Sequence, residues 1–182
     1  MKNNTCDKCP FAIDNNFKKV KGRGNIHSKL FIIGEAPGMT EKRLGKAFVG
    51  KAGNLLQSFI EHYNLDGFCY LTNAVKCRPP RNKTPDIDEI LICRHNLINE
   101  FVEGKPKIIV LLGNSAVNAF YGKEVNNITR LNNKVIVSNN TIIMFGFHPS
   151  YILRNHNLRI EYYKMFHKIK VLYKYFVNRY LI

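Results

Sequence analysis

Apolar positions along this chain fall into two patterns. The first is the short continuous run: Leu30-Phe31-Ile32-Ile33, Phe68-Cys69-Tyr70-Leu71 and Ile108-Ile109-Val110-Leu111-Leu112. Runs of this length, bounded by turn residues, read as strands buried on both faces. They predict strands over 29–33, 68–72 (ending at Asn73) and 107–112. A further pair, 135–137 and 141–145, is predicted to fold back across Ser138-Asn139-Asn140. The second pattern has helical spacing. Leu55, Leu56, Phe59 and Ile60 predict a helix over 52–63. Thr84 reads as the cap of a second helix, with Pro85 first, Asp86 and Asp88 in its opening turn, and Ile87, Ile90, Leu91, Leu97 and Ile98 along it. A short helix is expected from Gly113-Asn114-Ser115 to about Gly122. A basic, aromatic helix over 160–180 is expected to turn Phe166, Val171, Leu172 and Phe176 to the core. Residues 11–28 read as a loop-rich arm.

Strands alternating with helices predict an α/β chain, with a mostly parallel sheet covered by helices on both faces. Parallel strands end on one edge. Gly34, Asn73, Gly113 and the segment at His148 therefore meet there, and Glu35, Asn73 and His148 are expected to share a pocket. In open α/β sheets this edge is where ligands bind.

The stretch from Gly34 to Gly53 is the strongest site candidate. It reads Gly34-Glu35-Ala36-Pro37-Gly38, a basic run, then Phe48-Val49-Gly50-Lys51-Ala52-Gly53. Gly45 to Lys51 fits the outline of a phosphate-binding loop. Ala52 stands where that loop needs a Ser or Thr for its metal ion, and the segment starts well after the strand, which argues against nucleotide hydrolysis. Gly22-Arg23-Gly24 does not complete a dinucleotide fingerprint, because His27 holds the third glycine position.

At 182 residues the chain is expected to form a single domain, 1–182. Its net charge of +15, from 28 Lys and Arg against 13 Asp and Glu, argues for a polyanionic partner. Nine Tyr and twelve Phe interleave with that charge, which favours nucleic acid over a membrane surface. No apolar run approaches a membrane span and no signal peptide is visible. The expected location is cytoplasmic, or nuclear in a eukaryotic host, and the expected state is a monomer.

Five cysteines in such a chain are not expected to form a disulfide framework. Cys6 and Cys9 form a C-x-x-C, and Cys77 and Cys93 lie 16 positions apart. Four thiolates suit a [4Fe–4S] cluster or a structural zinc. The competing reading is a redox dithiol and two unrelated buried thiols. Cys69 reads as a core residue. Other candidates carry plain alternatives too. Phe48 reads as a stacking platform or as core, Asn73 as a ligand group or a turn former, His148 as catalytic or structural, and Glu35 as a working or a solvated carboxylate.

Taken in order, Gly34-Glu35-Ala36-Pro37-Gly38, Phe48-Val49-Gly50-x-Ala52-Gly53, Thr72-Asn73-x-Val75-Lys76-Cys77-Arg78-Pro79-Pro80 and His148-Pro149-Ser150 resemble the motifs of family 4 uracil-DNA glycosylases. The resemblance covers nearly the whole chain. It implies a three-layer α/β/α sandwich and hydrolysis of the N-glycosidic bond of uracil in single- or double-stranded DNA. It also implies a [4Fe–4S] cluster on Cys6, Cys9, Cys77 and Cys93. By the same resemblance Phe48 stacks on the flipped base, Asn73 reads its edge, and Ala36, Pro37 and Gly38 line the pocket. His148 donates to the leaving base, and Glu35 orients water or stabilises the sugar cation. Lys51, Arg78, Pro149, Ser150 and Arg154 contact DNA. Met39-Thr40-Glu41-Lys42-Arg43 departs from the family in carrying less acid, with Glu41 the nearest, and no basic insertion lies between Lys76 and Thr84, which favours turnover over covalent trapping. The rival reading is a non-catalytic, DNA-binding iron–sulfur module on the same fold.

Overall fold

The structure is a computed structural model that describes residues 6, 9–11 and 18–179, with side chains to 175. Its elements run β1 (Arg23–Gly24), β2 (Leu30–Gly34), α1 (Met39–Leu44), α2 (Lys51–His62), β3 (Cys69–Asn73), α3 (Ile87–Gly104), β4 (Ile108–Leu112), α4 (Asn114–Tyr121), α5 (Ile128–Leu131), β5 (Val135–Ser138), β6 (Thr141–Gly146), α6 (Pro149–Arg154) and α7 (Arg159–Arg179). Short 3₁₀ turns cover Pro80–Asn82 and His156–Leu158.

The strands form one sheet in the order β1-β3-β2-β4-β6-β5. The inner four are parallel, and β1 and β5 pair antiparallel at the two edges. Because successive side chains point to opposite faces, each buried run serves two cores. Leu30, Ile32, Val110, Leu112, Ile142 and Met144 meet Leu56, Phe59 and Ile60 of α2, Ile152 of α6, and Tyr162, Met165, Phe166 and Ile169 of α7. Ile33, Ile109, Leu111, Ile143 and Phe145 meet Ile90 and Leu97 of α3 and Ala116 and Val117 of α4. The expected α/β sandwich with helices on both faces is the observed one. Each fully buried Leu, Ile or Phe adds roughly 1.5–3 kcal/mol of driving force.

Three local readings need correction. The helix expected from Thr84 starts at Ile87, with Asp86 as its cap. The Asp86 carboxylate accepts from Glu89 N, and Asp86 N donates back to Glu89 Oε2, both at 2.9 Å. Thr84 has Ile87 three positions on and cannot close this reciprocal pair. Along the same helix Leu91 and Ile98 are exposed, and Cys93 and Glu89 are buried instead. In α7 Val171 points outward, and Phe176 lies outside the described side chains. Four elements went unread: β1, α1, α5 and α6. The segment read as an arm contributes β1, and the basic run after Gly38 forms α1. Neither carries an apolar stripe, and Met39 and Leu44 of α1 are both exposed.

Candidate active site

The parallel strands deliver their ends together. Gly34 is in register with Asn73 across β2 and β3, and Leu112 with Gly146 across β4 and β6. His148 follows two residues after β6.

Gly34 is the floor of the site. A Cβ placed on it would lie 2.5 Å from Phe48 Cζ, 2.7 Å from Asn73 Oδ1 and 3.3 Å from His148 Nε2. Three of the expected substrate-handling side chains thus converge on the space that the missing methyl leaves. The rings of Phe48 and His148 are 6.4 Å apart at 32°. Asn73 is 4% exposed, yet among the described residues its amide has no hydrogen-bond partner. Neither amide atom is among the fully buried, unpartnered atoms of the described residues, so the amide opens onto this space.

Phe48 is aimed by its backbone. It adopts a left-handed φ of 56°. Gly53 of α2 packs on the Phe48 carbonyl so closely that a Cβ would overlap it. Glu41 completes the brace. It is 9% exposed, and its carboxylate accepts from Gly38 N (3.1 Å), Val49 N (3.1 Å) and Gly50 N (2.7 Å). One side chain therefore ties the glycine turn after β2 to the glycine turn before α2. Sequence reasoning named Glu41 only as the nearest acid after the glycine turn. The pattern Gly-x-x-Glu at the mouth of a helix was the available signal.

Asn73 is held from behind. Buried Lys76 donates to the Asn73 carbonyl (2.9 Å), to Thr72 Oγ1 (2.7 Å) and to Glu100 Oε2 (2.7 Å). The Thr72 and Tyr70 hydroxyls both donate to Glu100 Oε1 at 3.2 Å.

His148 caps α6. Ser150 N donates to its Nδ1 at 3.3 Å, and Ser150 Oγ lies 2.8 Å from the same atom. An Nδ1 that accepts from a backbone N–H carries no proton, so the ring proton resides on Nε2, the atom facing Gly34. Burial, with a smaller push from Arg154, lowers the His148 pKa to about 4. The ring is neutral at physiological pH.

Glu35 leaves β2 on the same edge and accepts from Ser115 Oγ at 3.0 Å. Burial pushes its carboxyl above the usual range, against the pull of Ser115, Arg154 and Thr84. Ala36 and Gly38 are half-buried and Pro37 is buried. Arg154 stands exposed at the end of α6, where its charge acts on both Glu35 and His148. Lys51 and Arg78 are placed otherwise. Lys51 is exposed in the first turn of α2, and Arg78 donates to Asn82 Oδ1 at 2.7 Å. Pro149 is buried, and Ser150 is committed to His148. Glu41, Ser115 and the floor at Gly34 are the site features that sequence reasoning missed.

The cysteines converge at the other end of the Lys76 network. Cys9, Cys77 and Cys93 are buried and Cys6 is half-buried. Cys77 is pushed up to about 12, by burial first and then by Cys93, Cys9 and Cys6. Cys93 Sγ accepts from Lys76 N at 3.3 Å and Asn96 Nδ2 at 3.6 Å. Lys19 is raised chiefly by its hydrogen bond with Cys6. Among the described residues, no three His, Cys, Asp or Glu side chains group as they would around a single ion. Cys69, by contrast, is buried in β3, as expected for a core residue.

The sequence model of the uracil DNA glycosylase superfamily matches residues 21–171, which include the whole Gly34, Phe48, Asn73 and His148 constellation. The chain belongs to that superfamily. Among its relatives, a protein named type-4 uracil-DNA glycosylase from Thermotoga maritima is 36% identical over 152 residues, covering 82% of this chain and 79% of the relative. Proteins of the same name from Pyrobaculum aerophilum and Sulfurisphaera tokodaii are 34% identical over 169 residues and 38% over 162. These cover 87% and 84% of this chain and 85% and 74% of the relatives. No described helix is long and apolar enough to cross a membrane.

Proposed function

We propose that this chain excises uracil from DNA, hydrolysing the N-glycosidic bond of the flipped nucleotide and leaving an abasic site. The observation that carries this reading is the convergence of the Asn73 amide, Phe48 and His148 Nε2 around Gly34. A side-chain amide presents one donor and one acceptor side by side. The edge of uracil offers the complement, and the edge of cytosine offers the reverse order.

The steps follow from the groups present. The target base leaves the stack to reach so recessed a site. Phe48 covers its face, Asn73 pairs with its edge, and the backbone of Ala36, Pro37 and Gly38 borders it. As the glycosidic bond breaks, the electron pair stays with uracil. The neutral His148 donates its Nε2 proton in a hydrogen bond to the developing oxyanion and need not give that proton up. Positive charge grows on the sugar, and the Glu35 carboxylate stabilises it and orients the water that adds to the anomeric carbon, the proton this water releases reaching the departed uracil anion through solvent. Arg154, Lys51 and Arg78 hold the phosphates, with Pro149 and Ser150 at the point where the base leaves.

The donor set Cys6, Cys9, Cys77 and Cys93 is all thiol, which suits a [4Fe–4S] cluster. Such a cluster would supply a structural clamp between the N-terminal arm and the Arg78-Pro79-Pro80 loop. The reading has the chain acting as a cytoplasmic monomer.

The test is an abasic-site assay on a uracil-containing oligonucleotide, with Asn73→Ala and His148→Ala as controls. Excision by the wild type and its loss in both variants is the expected result. A folded, DNA-binding protein that leaves uracil in place would refute the reading and favour a non-catalytic module.

A further inference from the structure

Glu35 is steadied by a residue from a distant part of the chain. Ser115 is 3% exposed, and its hydroxyl donates to Glu35 Oε2 at 3.0 Å across a sequence gap of 80 residues. The hydroxyl has a rigid base. Ser115 lies in the first turn of α4, and α4 starts directly from the end of β4 through Gly113, whose N–H donates to Gly146 O at 2.9 Å. The first turn of a helix also presents the positive end of its dipole. Hydrogen bond and dipole both favour a charged, fixed carboxylate at Glu35.

The other groups acting on Glu35 are exposed or turned elsewhere. From α6, Arg154 contributes an exposed charge. At the cap of α6, His148 is neutral and turned to Ser150. From the loop before α3, Thr84 offers a hydroxyl from an exposed residue.

We propose that Ser115 is a positioning residue for base excision, its hydroxyl fixing the Glu35 carboxylate in the orientation and ionisation state that the reaction uses. This rests on the reading of Glu35 as the carboxylate that attends the sugar and the water. A donor to the charged form of an acid lowers its pKa. Removing the donor therefore moves Glu35 ionisation, and with it the acid limb of the rate profile, to higher pH.

The experiment compares wild type, Ser115→Ala and Ser115→Thr in single-turnover excision across the acid range. A carbon NMR titration of the labelled Glu35 carboxyl in DNA-free protein runs beside it. In Ser115→Ala the acid limb and the NMR midpoint are expected to rise together by about one pH unit, a tenfold loss on the acid side that closes to within a few-fold above the limb. Ser115→Thr keeps the hydroxyl and restores both. The same Ser115→Ala change in a Glu35→Gln background is expected to shift nothing. A loss that is uniform in pH, an unmoved NMR midpoint, or a shift that survives in the Glu35→Gln background would overturn the assignment. If the wild type does not excise uracil, the functional reading fails, and the NMR titration still decides whether Ser115 governs Glu35.

Discussion

Replacing Gly34 by Ala adds one methyl group where three side chains already meet. The strand backbone accepts it, since Gly34 is an ordinary ladder residue of β2 paired with Asn73. The space does not. The new carbon would sit 2.5 Å from Phe48 Cζ and 2.7 Å from Asn73 Oδ1, at least 1 Å inside carbon–carbon contact distance for the ring. Something must move, and each candidate is restrained. Phe48 is pinned through Gly53 and the Glu41 hydrogen bonds, and Asn73 through Lys76. Overpacking of this kind costs about 1–3 kcal/mol. For a chain of this size that lowers Tm by roughly 2–12 °C. The catalytic cost is larger, because a displacement of about 1 Å in a positioned group is worth on the order of 100-fold in rate. Single-turnover excision by Gly34→Ala is therefore expected to fall at least 100-fold, with circular dichroism and salt-dependent DNA binding preserved. A variant that excises uracil within threefold of wild type would refute the placement of the base against Gly34.

Three further outcomes follow from the same contacts. The His148 pKa falls from 6.5 to about 4 on folding, so between those values the unfolded chain binds more protons, and stability is lost as pH drops through the window. The loss reaches at most about 3 kcal/mol, partly offset by Glu35, whose raised pKa acts in the opposite sense; urea unfolding of His148→Gln should lack the His148 part, and an unchanged slope would contradict the buried neutral ring. Lys76→Met leaves the half-buried Glu100 carboxylate without its cation, at a cost of up to roughly 3 kcal/mol, so an unchanged Tm would show the Lys76–Glu100 pair to be unimportant. DNA affinity should fall linearly on a logarithmic salt axis, with Lys51→Ala and Arg78→Ala each reducing the slope by about one, and a flat response would detach the +15 charge from DNA.

Much of the fold was legible because buried parallel strands are written as unbroken apolar runs. Leu30 to Ile33 and Ile108 to Leu112 could hardly be anything else, and their shared direction carried Gly34, Asn73 and His148 to one edge. What escaped depended on contacts between distant residues. Nothing near Ser115 in sequence points to Glu35. Glu41 looked like a surface acid, because the three N–H groups it gathers come from two different turns. Gly34 read as a simple strand end, because an absent Cβ matters only once its neighbours are known. The start of α3 was misplaced by a Thr-Pro pair that resembles a cap, although Asp86 and Glu89 together make a better one.

The Glu41 brace also divides the chain into parts that can change at different rates. Residues 42–44 lie outside a neck one carboxylate wide, while Gly45 (φ 72°), Lys46 and the buried Ala47 return to it bonded along Lys21, so only the identity of 42–44 has little bearing on where Phe48 ends up. Lys42, Arg43 and Leu44 lie on the outer side of that neck, none of them buried. The segment behaves as an exchangeable cassette. The charge at Lys42, Arg43 and Leu44 can be rewritten to suit a different stretch of nucleic acid while the base pocket keeps its shape, whereas a single substitution at the neck would release both turns at once.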